Sequence, residues 1–136
     1  PDFSNHCNHD FDSLHEANHH RIVDRLYTAH GFPMVADVGE RGNKVLPYMI
    51  LHTADTIFQN LYLPIVQKAC EEQLISWEYY AMLYDKINIV RNGHQRYGTQ
   101  YILENGHVLS GLYPFEEEEK TAEYRKQVGL VPLSDF

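Results

Sequence analysis

The stretch His94-Gln95-Arg96-Tyr97-Gly98-Thr99-Gln100 gathers two primary amides, a guanidinium, a phenol, an imidazole and a hydroxyl around one glycine. A connector of this length ordinarily draws on Ser, Asn, Asp and Pro. Polar groups at this density on a junction point to a binding or catalytic surface, because functional groups concentrate on loops held by a rigid scaffold. Gln95 and Gln100 offer donors and acceptors, Tyr97 and Thr99 offer hydroxyls, and Arg96 can clamp a carboxylate or phosphate through two parallel N–H bonds. Gly98 permits a positive φ or a close approach of backbone to a ligand. The competing use is structural: the two Gln side chains bond to loop backbone and Tyr97 packs, which is the commonest fate of such residues.

Three further groups have chemical spacing. His52, Asp55 and Gln59 share one face if a single helix carries them. His52 oriented by Asp55 is then a tunable general base. If the helix breaks at this point, Asp55 is an N-cap and His52 satisfies a carbonyl at the preceding helix end. One His and one carboxylate fall short of a zinc site, which needs three or four ligands. Asp85, beside Lys86 in an apolar helical pattern, reads either as a structural ion pair with Arg91 or Arg96 or as a site carboxylate. The N-terminal run His6, Cys7, His9, Asp10, Asp12, His15, His19, His20 has none of the paired zinc spacings. It reads as a solvated segment, and no metal is assigned to it.

The bulk properties narrow the classes. A chain of 136 residues with 43% hydrophobic content fits one domain with a real core. The formal net charge of −8 argues against nonspecific nucleic-acid binding, which needs a basic surface. No apolar run approaches the roughly 18 residues that cross a bilayer, so no membrane partner is expected. Cys7 and Cys70 cannot build a disulfide framework. Cys70 sits in an apolar helical pattern as a buried thiol, which favours a reducing, cytoplasmic setting. Phosphate-binding glycine loops, dinucleotide fingerprints and nucleophile elbows are missing, so no cofactor is expected.

The elements that must position these groups follow from spacing and punctuation. Residues 1–12 read as a loose, polar, His-rich lead-in, and 13–136 as one domain. Leu14, Ile22, Val23, Leu26 and Tyr27 recur at helical spacing from Ser13 to His30, where Gly31 can cap the helix and Pro33 prevents its continuation. Residues 32–42 read as a loop with two glycines. A second helix is expected from Lys44 with Pro47 in its first turn, then a junction near 53–55, then a third helix that Pro64 would kink. Ser76 caps a fourth helix that fades near Val90. Asn105-Gly106 between alternating segments signals a hairpin. Glu116 to Glu119 open a last helix with Arg125 and Lys126 near its end, a polarity that suits the helix dipole. Leu130 to Leu133 should dock back on the body.

Several of these pieces form an ordered set: His30-Gly31-Phe32-Pro33, Val38-Gly39, His52-Thr53-Ala54-Asp55 with Phe58-Gln59, Tyr84-Asp85-Lys86-Ile87, Gln95-Arg96-Tyr97-Gly98-Thr99-Gln100, and the end Tyr124 to Leu133. The set resembles a bacterial domain family of unknown function whose pattern runs His-Gly-Trp-Pro, Val-Gly, Gln-His-Ala-Asp, Phe-Gln, an Asp-Arg pair and Gln-x-Tyr-Gly-Thr-Gln. The resemblance covers roughly residues 20–136. Phe32 stands at the Trp of that pattern and Lys86 at its Arg. It implies a mainly helical domain and shows which residues travel together, and it carries no assigned activity.

The expectation is a mainly α domain, a compact bundle of four or five helices with one β-hairpin near 98–112. It carries one polar site that binds a small molecule or peptide. His52, Asp55 and Tyr97 are its candidate catalytic residues. Gln59, Asp85, Gln95, Arg96, Gly98, Thr99 and Gln100 are its candidate ligand-binding residues. The alternatives are a small hydrolase-like enzyme with His52 as general base, and an interaction module in which the same groups only lock the hairpin to the helices.

Overall fold

The computed structural model describes the backbone of residues 4–104 and 107–133, and the side chains of 14–102 and 111–133. The order is α1 (Ser4–His30), α2 (Val35–Leu51), α3 (Thr56–Glu71), α4 (Trp77–Asn92), β1 (Tyr101–Glu104), β2 (His107–Leu112), a 3-10 turn (Glu118–Lys120) and α5 (Thr121–Gln127). The fold is mainly α with a two-stranded antiparallel hairpin. Tyr101 pairs with Leu112 and Leu103 with Val108, with an irregularity between Tyr101 and Leu103. Asn105-Gly106 lies outside the described residues, as do the side chains of His6, Cys7, His9, Asp10 and Asp12.

α1 begins at Ser4 rather than at Ser13. Its Val23 is fully buried, whereas Leu14 and Ile22, on the same apolar spacing, are exposed. α2 differs more from expectation, starting at Val35 instead of Lys44. Two glycines make 32–42 look like a loop, but the chain needs a break at only one of them. Gly39 takes φ 75° and ψ 173°, a conformation without a steric penalty only for glycine, and helical turns flank it on both sides. The buried Asn43 amide pins this kinked stretch by donating to the carbonyls of Pro33 and Leu74, both at 2.8 Å. Pro47 therefore sits inside α2 rather than in its first turn.

The junction near 53–55 is real. α2 ends at Leu51, and Asp55 caps α3 by accepting from the N–H groups of Ile57 (2.9 Å) and Phe58 (3.2 Å). Ser76 caps α4 through Glu78 N. α3 and α4 form the most extensively packed helix pair. The core they share with α1 and α2 includes Val23, Leu46, Ile50, Phe58, Tyr62, Val66, Leu83 and Ile87. Cys70 is buried in it as a free thiol, pushed up to about 11 by that burial. No described helix is long and apolar enough to cross a membrane.

Candidate functional site

Asp85 lies on the core-facing side of α4 and is 0% exposed. Its carboxylate reaches the loop between α4 and β1. Oδ1 accepts from the N–H groups of Arg96 (2.8 Å) and Tyr97 (3.1 Å). Oδ2 accepts from Thr99 N (3.1 Å) and from Thr99 Oγ1 (2.8 Å). Burial pushes the carboxyl up from its ordinary value, and these four bonds act in the opposite direction. Three backbone donors that would otherwise face the core unpaired are satisfied by one side chain.

Gln95, also 0% exposed, joins the same loop to the hairpin. Its Nε2 donates to the carbonyls of Gln100 and Tyr113, each at 3.0 Å, and its Oε1 accepts from Gln100 N at 2.9 Å. Its own backbone bridges the segment after β2, through Pro114 O and Glu116 N. Arg125, 3% exposed, closes the structure from α5. Nη1 donates to Tyr97 O at 2.7 Å, and Nε donates to Val131 O at 2.8 Å, which holds the C-terminal segment against the loop. Gly98 has no alternative here. Its φ is 73°, and a Cβ would sit 3.0 Å from the Phe115 ring and 3.3 Å from Leu133.

Arg96 turns outward from this knot and is sandwiched by aromatic rings. Its guanidinium carbon lies 4.5 Å from the Tyr84 ring centre and 4.9 Å from that of Tyr124, and Nε donates to Glu116. Burial works against its charge, while Glu116 and Tyr84 hold it, and the guanidinium stays firmly protonated. Tyr97 is buried edge-on against Tyr84, Tyr80 and Tyr124. Burial, the largest influence on the Tyr97 phenol, pushes it up.

At the α2–α3 junction the groups are arranged differently. His52 is exposed, and its ring stacks on Tyr48 at 5.9 Å. No described hydrogen bond links it to Asp55, whose carboxylate caps α3. Gln59 is buried, with Nε2 within hydrogen-bond distance of the carbonyls of Ile50, Leu51 and Thr53. Lys86, one residue past Asp85 on α4, swings to the other side and donates from Nζ to Leu51 O at 3.0 Å. Burial alone pulls the Lys86 ammonium below the usual lysine range, and no described ion pair includes it.

Thr53 ties this junction to α1. Its hydroxyl donates to Glu16 at 2.7 Å and lies 2.8 Å from His20 Nε2, while Ala54 N donates to the other Glu16 oxygen. The Thr53 bond, together with Ala54 and the neighbouring histidines, holds the Glu16 carboxyl below its ordinary value despite some burial. A depressed carboxylate stabilises the fold above the ordinary range and loses that contribution as pH falls through its folded value. Replacing Glu16 by Gln is therefore expected to cost up to about 1 kcal/mol near pH 7 and less near pH 3. Urea melts at the two pH values test this, and an equal loss at both would refute it.

These elements enclose a cleft of about 330 Å³ lined by Thr53, Thr56, Gln59, Lys86, Gln100 and Tyr113, with Ile89, Val90 and Tyr101 at its sides. Of the residues singled out in the sequence, Gln59 and Gln100 face it. Asp85, Gln95, Tyr97, Gly98 and Thr99 form the knot behind it, Arg96 lies between Tyr84 and Tyr124, and His52 and Asp55 stand outside its lining. A second groove, about 450 Å³, runs between α1 and α2 past Leu26, Pro33, Val38, Val45 and Leu46. Its lining is largely aliphatic with His30 and Asp37 added, whereas the first cleft gathers the denser set of hydrogen-bonding groups and is the better candidate for polar chemistry. Among the described residues no group of three or more His, Cys, Asp or Glu side chains could hold a metal ion.

Sequence reasoning named Lys86 only as the neighbour of Asp85 and gave no site role to Thr53, Arg125 or the Glu16–His20 pair. Lys86 and Asp85 are adjacent, about 100° apart around a helix, so they point in different directions, and the pattern shows only that both lie near the core. Arg125 at the end of a helix resembles an ordinary dipole charge. Glu16 and His20 have i,i+4 spacing, which is a readable signal of one shared face. A family described as "Family of unknown function (DUF6624)" matches residues 13–136. No curated protein and no solved structure matches the chain.

Proposed function

We propose, for a chain that belongs to this family of unknown function, that the domain is a binding module whose ligand, a small molecule or peptide, occupies the cleft over Lys86. The observation that carries this reading is a half-buried ammonium on the wall of a polar cleft, with a backbone carbonyl and no described carboxylate as its partner. An amine kept charged against its burial is costly unless something meets it. Gln59, Gln100 and Thr53 add neutral polar groups around it. The buried knot behind the cleft fixes their positions without spending side chains on the ligand, which is the support a binding site requires. No described polar contact carries His52 to the cleft, so the reading assigns recognition rather than bond cleavage to these residues.

A fragment screen by NMR on the whole chain tests this. Hits are expected to shift the amides of Gln59, Lys86, Gln100 and Tyr113. Lys86→Met should weaken them about tenfold or more, since a charge-assisted hydrogen bond contributes roughly 1.5–3 kcal/mol, with melting temperature nearly unchanged. Hits that cluster in the aliphatic groove, or that ignore the Lys86 substitution, would defeat the proposal.

A further inference from the structure

We infer that the group anchoring the ligand is a single carboxylate, received end-on by the Lys86 ammonium. This rests on the cleft being the ligand site, and several observations carry it further. Among the described lining residues Lys86 is the only charged one, the others being Thr, Gln, Tyr and aliphatic side chains. A cationic ligand would therefore meet a like charge and no counter-charge. An ammonium has three N–H donors; one is committed to Leu51 O at 3.0 Å, and the others have no described protein acceptor.

The committed bond also aims the group. Nζ is held at the C-terminal end of α2 by Leu51 O, where the Gln59 amide N–H groups are engaged by backbone carbonyls, so the ammonium need not rearrange to present its remaining donors. The cap of α3 is already complete: Asp55 takes the Ile57 and Phe58 amides, so that helix end adds no second anion contact. One cation with no auxiliary positive group balances one negative charge. On a chain of net charge −8 a dianion such as a phosphate monoester would enter with one charge uncompensated. A neutral ligand would leave the ammonium without a counter-charge, and burial already disfavours that charge. The fitting chemistry is a monocarboxylate, either a small organic acid or the C terminus of a peptide.

NMR titration of the whole chain near pH 7 with N-acetylglycine, N-acetylglycinamide and sulfate separates the cases. N-acetylglycine should shift Gln59, Lys86 and Gln100 and saturate, with the amide analogue and sulfate about tenfold weaker or silent. Lys86→Arg should keep the preference and Lys86→Met should lose it, while both retain the wild-type spectrum elsewhere. Equal binding of the amide analogue overturns the carboxylate anchor while leaving the cleft as a ligand site. Tighter binding of sulfate, an unchanged preference in Lys86→Met, or no response to any of the three also overturns it. The fragment screen judges the cleft itself separately.

Discussion

Asp85→Asn is expected to cost about 3–5 kcal/mol, because it leaves two buried donors without an acceptor at roughly 1–3 kcal/mol each. The substitution preserves shape and changes only hydrogen-bond polarity. All four contacts of the Asp85 carboxylate are donors: the N–H groups of Arg96, Tyr97 and Thr99 and the Thr99 hydroxyl. Asn keeps one oxygen for the first pair or the second, and its NH₂ must then face donors that have no other acceptor. At 0% exposure water cannot intervene. For a domain of this size the loss corresponds to roughly 10–20 °C in melting temperature. Thr99→Val is the control. It removes the hydroxyl's bond to Asp85 and the one it accepts from Gln100 Nε2, leaves Thr99 N in place, and should cost about 1–2 kcal/mol. Equal losses for the two variants, or an Asn variant within 1 kcal/mol of wild type by urea denaturation, would show that the carboxylate does not organise the loop.

Gln95→Glu should be nearly as damaging near neutral pH, with a cost of about 3 kcal/mol or more, and it should differ in its response to acid. Nε2 of Gln95 faces the carbonyl oxygens of Gln100 and Tyr113. A carboxylate oxygen in its place puts a buried negative charge against two acceptors. That repulsion raises the folded pKa of the new Glu above its unfolded value of about 4.3. The sign of the linkage is then fixed: the folded state binds the proton more tightly, so the damage is least below the unfolded pKa and grows as pH rises through the folded one. Protonated Glu can donate to one of the two carbonyls, so part of the stability returns near pH 4. Denaturant midpoints between pH 4 and pH 8 read this directly. A variant whose deficit relative to wild type stays flat over that interval would contradict the assignment of Nε2 to the two carbonyls.

Local chemistry made much of the fold readable. Ser76 and Asp55 cap helices where a hydroxyl and a carboxylate precede apolar periodicity, and the Asn-Gly signal lies between the two strands. The start of α2 was not readable. Gly39 and Gly42 together resemble a loop, and only the tertiary bonds of Asn43 show that one of them is a kink inside a helix. The polar heptad is recognisable as a special place, yet composition cannot say whether Thr99 turns toward solvent or toward Asp85. That choice depends on a carboxylate 11 to 14 residues upstream, buried by a packing arrangement that periodicity does not specify. Gln100 is the member of the heptad that faces the cleft, and Lys86, on a different element, supplies the charge there.

Gln95 also acts as a ruler for the hairpin. A two-stranded ribbon alone is marginal in water, and alternation sets its register weakly when one layer is all there is. Here a single amide, fixed at the end of α4, measures the distance between Gln100 just before the first strand and Tyr113 just after the second. Sliding one strand past the other by a residue would carry a carbonyl about 3.3 Å away and leave the ruler half read. The hairpin is thereby indexed from its base by the helical body, and changes of length or composition toward its far end can accumulate without shifting Gln100 and Tyr113 relative to each other.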